Sequence, residues 1–201
     1  YNHEKEKLKL SEIFIYPDLE SMNDRINKTD IDGKYLSAER LLGDADHSLF
    51  ILEGGNQCGK TSLCHIYYKT LLDAHKYPLM LGGKEVNNDN LKRILRNAYE
   101  RQYLPEFADY EKYEQYEKSD KVLLLDNFDK CKLARDVKEK IIKQLLLQFG
   151  KVIITVREDK FIVDSLNYFS KEATLLYHIK SFGYEKRSKL IEKFYERYDN
   201  Q

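Results

Sequence analysis

At 201 residues the chain is long enough to bury a real core, and it fits one domain with room for a small appendage. Its 34 basic residues are balanced by 34 acidic ones spread along the chain, which argues against a broad basic face for nucleic acid and against an acidic tail. No apolar run reaches membrane-spanning length, the charged stretch Tyr1 to Leu10 has no signal-peptide pattern, and Cys58, Cys64 and Cys131 lack C-x-x-C spacing. Those features fit a reducing cytoplasm better than a disulfide or zinc framework.

In chain order, Leu8 to Tyr16 reads as an extended lead-in that ends at Pro17, and Ser37 to Leu42 as a short helix. Leu49 to Leu52 is an apolar run suited to a buried strand. Leu63, Ile66, Tyr67, Thr70, Leu71 and Ala74 then recur at helical spacing. Leu79 to Leu81 is a brief strand stopped by Gly82 and Gly83, and Leu91, Ile94, Leu95, Ala98 and Tyr99 mark an amphipathic helix closed by Pro105. A more polar helix spans Asp109 to Lys118, and Val122 to Leu125 is the next buried strand. Val137, Ile141, Leu145 and Phe149 define a helix with Gly150 as its stop. Val152 to Val156 is a strand, Phe161, Ile162 and Leu166 indicate a helix, and Ala173 to Ile179 a last strand. Leu190, Ile191, Phe194, Tyr195 and Tyr198 form a final helical stripe. Strands alternating with helices predict an α/β fold: a doubly wound, mostly parallel sheet with helices on both faces.

Between the first buried strand and its helix lie Gly54, Gly55, Asn56, Gln57, Cys58, Gly59, Lys60 and Thr61, followed by Ser62. This is G-x-x-x-x-G-K-T in the strand–loop–helix setting that a phosphate-binding P-loop requires. The glycines permit backbone angles that a Cβ forbids, so that amides can line an anion-sized nest above a helix N-terminus. Lys60 is placed to meet the outer phosphates and Thr61 to ligate Mg²⁺. The expected ligands are therefore ATP or ADP with Mg²⁺, and the fold is that of the P-loop NTPases.

A phosphate loop needs a metal carboxylate, and the strand ending at Asp126 supplies one. Mg²⁺ takes few protein ligands, so Asp126 with Thr61 meets that need, although strands also end in Asp at plain turns. Asp129, three residues on, either orients water or caps a turn. Arg157, just beyond the strand Val152 to Val156, either reaches the terminal phosphate with its planar fork or pairs with Glu158 or Asp159 at the surface. Cys58 is either a reactive thiol at a helix start or a small tolerated side chain. Tyr16 is a candidate for stacking on the base. Tyr110, Tyr113 and Tyr116 mark a packed helix face rather than a stacking platform, and His3, His47, His65, His75 and His178 have no metal-ligand spacing.

Gly54 to Thr61, Leu123 to Asp129 (LLLDNFD) and Val152 to Arg157 (VIITVR) together resemble the STAND-type P-loop ATPases. That group includes the NACHT and NB-ARC switch proteins and is related to AAA+ ATPases. The Asp126-x-Phe-Asp129 spacing resembles the NACHT form of the Walker B motif, and the Thr155-x-Arg157 ending resembles the sensor arginine of the same group. The lead-in Ile13 to Leu19 and the tail from Phe182 to Tyr195 look like those of bacterial STAND proteins, in which the ATPase follows an effector such as a metallophosphoesterase. The resemblance implies a switch ATPase regulated by nucleotide exchange, in a signalling or antiviral defence protein whose full-length chain carries the effector and whose oligomerisation needs that full length. Two departures stand out: Lys130 occupies a position where NACHT proteins often carry a second acid, and no winged-helix region is recognisable.

On this reading residues 1–46 are a lead-in packing on the nucleotide site, 47–181 the P-loop core, and 182–201 a helix opening a truncated regulatory region, all cut from a longer protein. A small-molecule P-loop kinase shares the loop but needs an arginine-rich lid, and no such cluster follows the last helices. A nucleotide-bound scaffold without turnover is a second rival. A DNA-dependent AAA+ helper is a third, disfavoured by the neutral charge.

Overall fold

The computed structural model describes residues 8–22, 35–103, 109–157 and 174–199. The elements in chain order are α1 (Leu10–Ile13), β1 (Asp18–Ser21), β2 (Tyr35–Ser37), β3 (Leu49–Glu53), α2 (Lys60–Asp73), β4 (Tyr77–Gly82), α3 (Leu91–Gln102), α4 (Tyr110–Gln115), β5 (Lys121–Asp126), α5 (Arg135–Gln148), β6 (Lys151–Val156), β7 (Thr174–Ile179) and α6 (Tyr184–Asp199). Short 3-10 turns occupy Ala38–Gly43, Gly83–Glu85, Lys118–Asp120 and Phe128–Lys130. The expected helix at Phe161 to Leu166 and the stop at Pro105 fall outside the described residues.

The seven strands among the described residues form one sheet in the order β2-β1-β7-β3-β6-β5-β4. β7, β3, β6, β5 and β4 run parallel, and β1 and β2 add to the β7 edge in antiparallel pairing. β6 thus separates the strand that leads into the glycine loop from the strand that ends in Asp126. Along β3 the side chains alternate between two cores. Leu49 and Ile51 join Leu79, Leu81, Leu123 and Leu125 under α3, α4 and α5, while Phe50 and Leu52 join Leu124, Ile153 and the buried side of α2. Coverage on both faces explains why β3 and β5 read as unbroken apolar runs, and every residue of both strands is buried. This is the α/β architecture expected, with helices on both faces of a mostly parallel sheet.

The structure differs from the sequence expectations at the chain's less periodic parts. The lead-in is not simply extended: it makes the one-turn α1 and then two sheet strands of four and three residues, too short to show a hydrophobic period. Gly150 does not close α5 in a left-handed cap. Phe149 holds the cap position in extended backbone, and Gly150 is there because a Cβ would come 2.7 Å from the Lys118 carbonyl. The stripe on α6 is only partly used, since Leu190 is half-buried but Ile191 and Tyr195 are 55% and 62% exposed. What seats α6 is polar: Lys186 donates to the Tyr16 carbonyl and to Asp18, and Lys193 to the Phe14 carbonyl.

Tyr110 and Tyr113 are buried against Tyr99, which makes them a packed face. Among the described residues, no helix is long and apolar enough to cross a membrane.

Candidate functional site

The parallel strands bring Glu53, Asp126, Val156 and His178 to one edge of the sheet, where the glycine loop starts. The Gly54 amide is anchored to the Val156 carbonyl at 3.1 Å. A Cβ on Gly54 would meet Cys58 Sγ at 2.5 Å, so a larger residue there would have to displace the Cys58 side chain. Gln57 and Gly59 take left-handed backbone with φ of 59° and 89°. Gly59 is the N-cap of α2 and no side chain caps that helix, which leaves its first amides for an anion.

Lys60 is buried, and its ammonium donates to the carbonyls of Gly54 and Gly55 at 2.7 and 2.6 Å and lies 3.6 Å from Cys58 Sγ. Thr61 Oγ1 donates to Asp126 Oδ2 at 2.7 Å, although 65 residues separate the two. Asp126, itself buried, accepts a second bond at Oδ1 from the Thr155 hydroxyl at 2.6 Å, and a third at Oδ2 from Asn127 Nδ2 at 2.7 Å. The oxygens of Thr61 and Asp126 are hard donors of the kind Mg²⁺ takes, and their number is small, as it is where phosphates complete the shell. The arrangement therefore fits the metal expected from the sequence. Burial, together with the Asp126 charge, pushes the Cys64 thiol well above its ordinary range, so this neighbour of the site is an inert apolar filler.

Asp129 sits on the 3-10 turn after β5, and its Oδ1 accepts the Arg157 backbone amide at 3.0 Å. The two candidates are therefore joined, but through Arg157's main chain; its side chain is exposed. Glu158 and Asp159, the alternative partners, lie outside the described residues. Beside the loop opens a cavity of about 520 Å³, with Gly55 to Gly59 and Ser62 at one end. Phe14 and Ile15 of the lead-in, His178 and Ile179 at the end of β7, Lys180 and Phe182 beyond it, and Arg187 and Leu190 of α6 are among its other walls. Tyr16 is not among these walls. It turns into a separate cavity of about 470 Å³, stacked on Tyr67 and edge-on to Phe14, because its ring packs on α2.

Three residues that sequence reasoning passed over as site residues belong here. Thr155 is a buried polar residue in an otherwise apolar strand, and that oddity was the available signal. Asn127 takes left-handed backbone, with φ of 53° and ψ of 50°. Gly83, which opens the 3-10 turn after β4, lies so close to Asn127 that a Cβ would run into the Asn127 carbonyl.

No protein-family model matches the chain, and no curated protein matches it. Solved structures do. AMPPCP-bound DnaA from Aquifex aeolicus is 12% identical with a TM-score of 0.53, over 79% of this chain and 48% of that one. The Thermotoga maritima RuvB Holliday junction branch migration motor is 14% identical with a TM-score of 0.48, over 81% and 47%. A Drosophila ORC–Cdc6 complex on poly(dA/dT) DNA is 14% identical with a TM-score of 0.49, over 78% and 30%. The chain spans about half the length of the DnaA and RuvB chains it matches. The likeness to DnaA, at 12% identity, is one of fold, and the chain has the P-loop NTPase fold.

Proposed function

We propose that the chain is an ATP- and Mg²⁺-binding switch ATPase domain of STAND-like type, from a signalling or antiviral defence protein. The observation that carries this reading is the 2.7 Å contact between Thr61 Oγ1 and Asp126 beside a glycine loop that lines a cavity. The main chain of Gly54 to Ser62 cradles the phosphates, with the uncapped start of α2 beneath them. Lys60 leaves the loop carbonyls to meet the outer phosphates. Phe14, Ile15, Phe182 and Leu190 flank the base in the cavity beside the loop, which His178, Lys180 and Arg187 also line.

Thr61 and Asp126 hold Mg²⁺, with Thr155 fixing the carboxylate's plane. When bound, the metal neutralises charge that develops on the transferring phosphoryl group. Asp129 orients the attacking water, and the Arg157 guanidinium senses the γ-phosphate from the segment that Asp129 holds in place. Residues 1–46 serve as the lead-in, 47–181 as the core and 182–201 as the start of a regulatory region. The setting is a cytoplasmic full-length chain carrying an effector domain. DnaA's AMPPCP-bound state on a similar fold supports nucleotide as the ligand.

Calorimetry with ATP and Mg²⁺ on purified Lys60→Ala tests the reading. Loss of the ammonium's charge-assisted bonds is expected to weaken binding on the order of 100-fold or more. Unchanged affinity would refute the assignment, and phosphate transfer to an added small acceptor would favour a kinase instead.

A further inference from the structure

Asn127 directly follows Asp126, the carboxylate assigned above to the metal. Its side chain is not idle. Asn127 Nδ2 donates to Asp126 Oδ2 at 2.7 Å and reaches Thr61 Oγ1 at 3.3 Å. These are the two oxygens assigned above to Mg²⁺. The amide must present its nitrogen, because the Thr61 proton is already committed to Asp126 and the other carboxamide atom would set oxygen against carboxylate. We infer that the Asn127 carboxamide competes with Mg²⁺ for the Thr61–Asp126 oxygen pair, and thereby sets the metal concentration at which the site engages. This inference rests on the ATP–Mg²⁺ reading of the site.

The backbone around Asn127 makes the competition a matter of side-chain rotation alone. Its amide donates to Thr155 Oγ1 at 2.8 Å, its carbonyl accepts from the Lys130 amide at 2.9 Å, and Gly83 closes against it from the turn after β4. Both main-chain polar groups are used, so the residue cannot retreat as a unit. The carboxamide swings on its χ angles between the oxygen pair and the open side of the site. An ammonium at this point would hold the carboxylate against a divalent ion, and a carboxylate would recruit that ion. A neutral amide does neither: it satisfies the oxygens and yields to a stronger cation at the cost of one charge-assisted hydrogen bond.

The test is a Mg²⁺ titration at fixed concentration of a fluorescent ATP analogue, on wild type, Asn127→Gly and Asn127→Asp. Both replacements tolerate left-handed backbone, so the turn survives, and circular dichroism checks the fold. The half-saturating Mg²⁺ concentration is expected to fall about ten-fold in Asn127→Gly, the equivalent of one hydrogen bond to a charged group. In Asn127→Asp it falls at least as far, and Mg²⁺ alone raises the melting temperature more than in wild type. A half-point that is unchanged or higher in both variants overturns the inference while leaving the ATP site standing. Wild-type protein that binds no nucleotide, or binds it without regard to Mg²⁺, overturns the site assignment and this inference with it.

Discussion

Thr155 is the residue whose removal isolates the role of the carboxylate's support. Its hydroxyl donates to Asp126 and accepts from the Asn127 amide, at a position with no exposure at all. Thr155→Val keeps the shape and removes both bonds, leaving a half-buried N–H and one buried carboxylate oxygen without that partner. Urea unfolding is expected to show a loss of about 1–3 kcal/mol, the cost of leaving a buried polar group unmet. A variant as stable as wild type would show that Asp126 is held without it. Cysteine chemistry reports on the loop itself. Cys58 is partly exposed on the cavity wall, whereas Cys64 and Cys131 are buried. Titration of the native protein with a thiol reagent is expected to modify one cysteine quickly and the other two only on unfolding, with ATP and Mg²⁺ slowing the fast one. Two or three equally fast thiols would contradict the packing described around α2.

Among the elements, β4 carries a hazard and its remedy. It is an edge of the sheet, with backbone groups directed outward as a template for another strand. Gln102, at the end of α3, donates to the Met80 carbonyl and accepts from the Met80 amide, and Tyr103 donates to the Pro78 carbonyl. The side chains imitate a neighbouring strand. Gln102→Ala is expected to cost about 1–2 kcal/mol in chemical unfolding and to raise light scattering on storage. Stability and solubility equal to wild type would mean that the edge is protected by other means. Elements also show what could be read in advance. The glycine loop is contiguous in sequence, so its identity and its flanking strand and helix were legible from spacing alone. Asp126 was legible because an apolar strand announces its own end. Thr155, Gly83 and Phe14 reach the site from β6, the turn after β4 and the lead-in. Strand order brings them there, and no local pattern in the chain writes strand order down. β1 and β2 escaped notice for a different reason: in three or four residues an alternating pattern cannot be told from chance.

The whole molecule combines a well-supported carboxylate at Asp126, the proposed metal ligand, with few groups suited to activating water. Asn127 is no base at neutral pH, and Asp129 spends one oxygen on the Arg157 amide. The isolated chain is therefore expected to turn over ATP slowly, below about 1 s⁻¹, the low end of common enzyme rates. Asp129→Asn should lower the rate further with ATP affinity nearly kept, because the amide oxygen can still accept from Arg157. A phosphate-release assay showing fast turnover, or no effect of Asp129→Asn, would mean that water is positioned by other groups.

The place of β6 in the sheet bears on how the chain acquires its structure. β3 and β5 are synthesised before β6, yet β6 lies between them. A nascent chain that has emerged only as far as residue 150 holds both Thr61 and Asp126 but lacks the wedge that sets their spacing, and the two earlier strands can then pair with each other in a register that must later be undone. Insertion of a central strand late in synthesis is a long-range closure, slow by its loop entropy. Until Val156 is released, the chain holds the strands on either side of the site without the strand that lies between them, so Thr61 and Asp126 come into register only when β6 inserts.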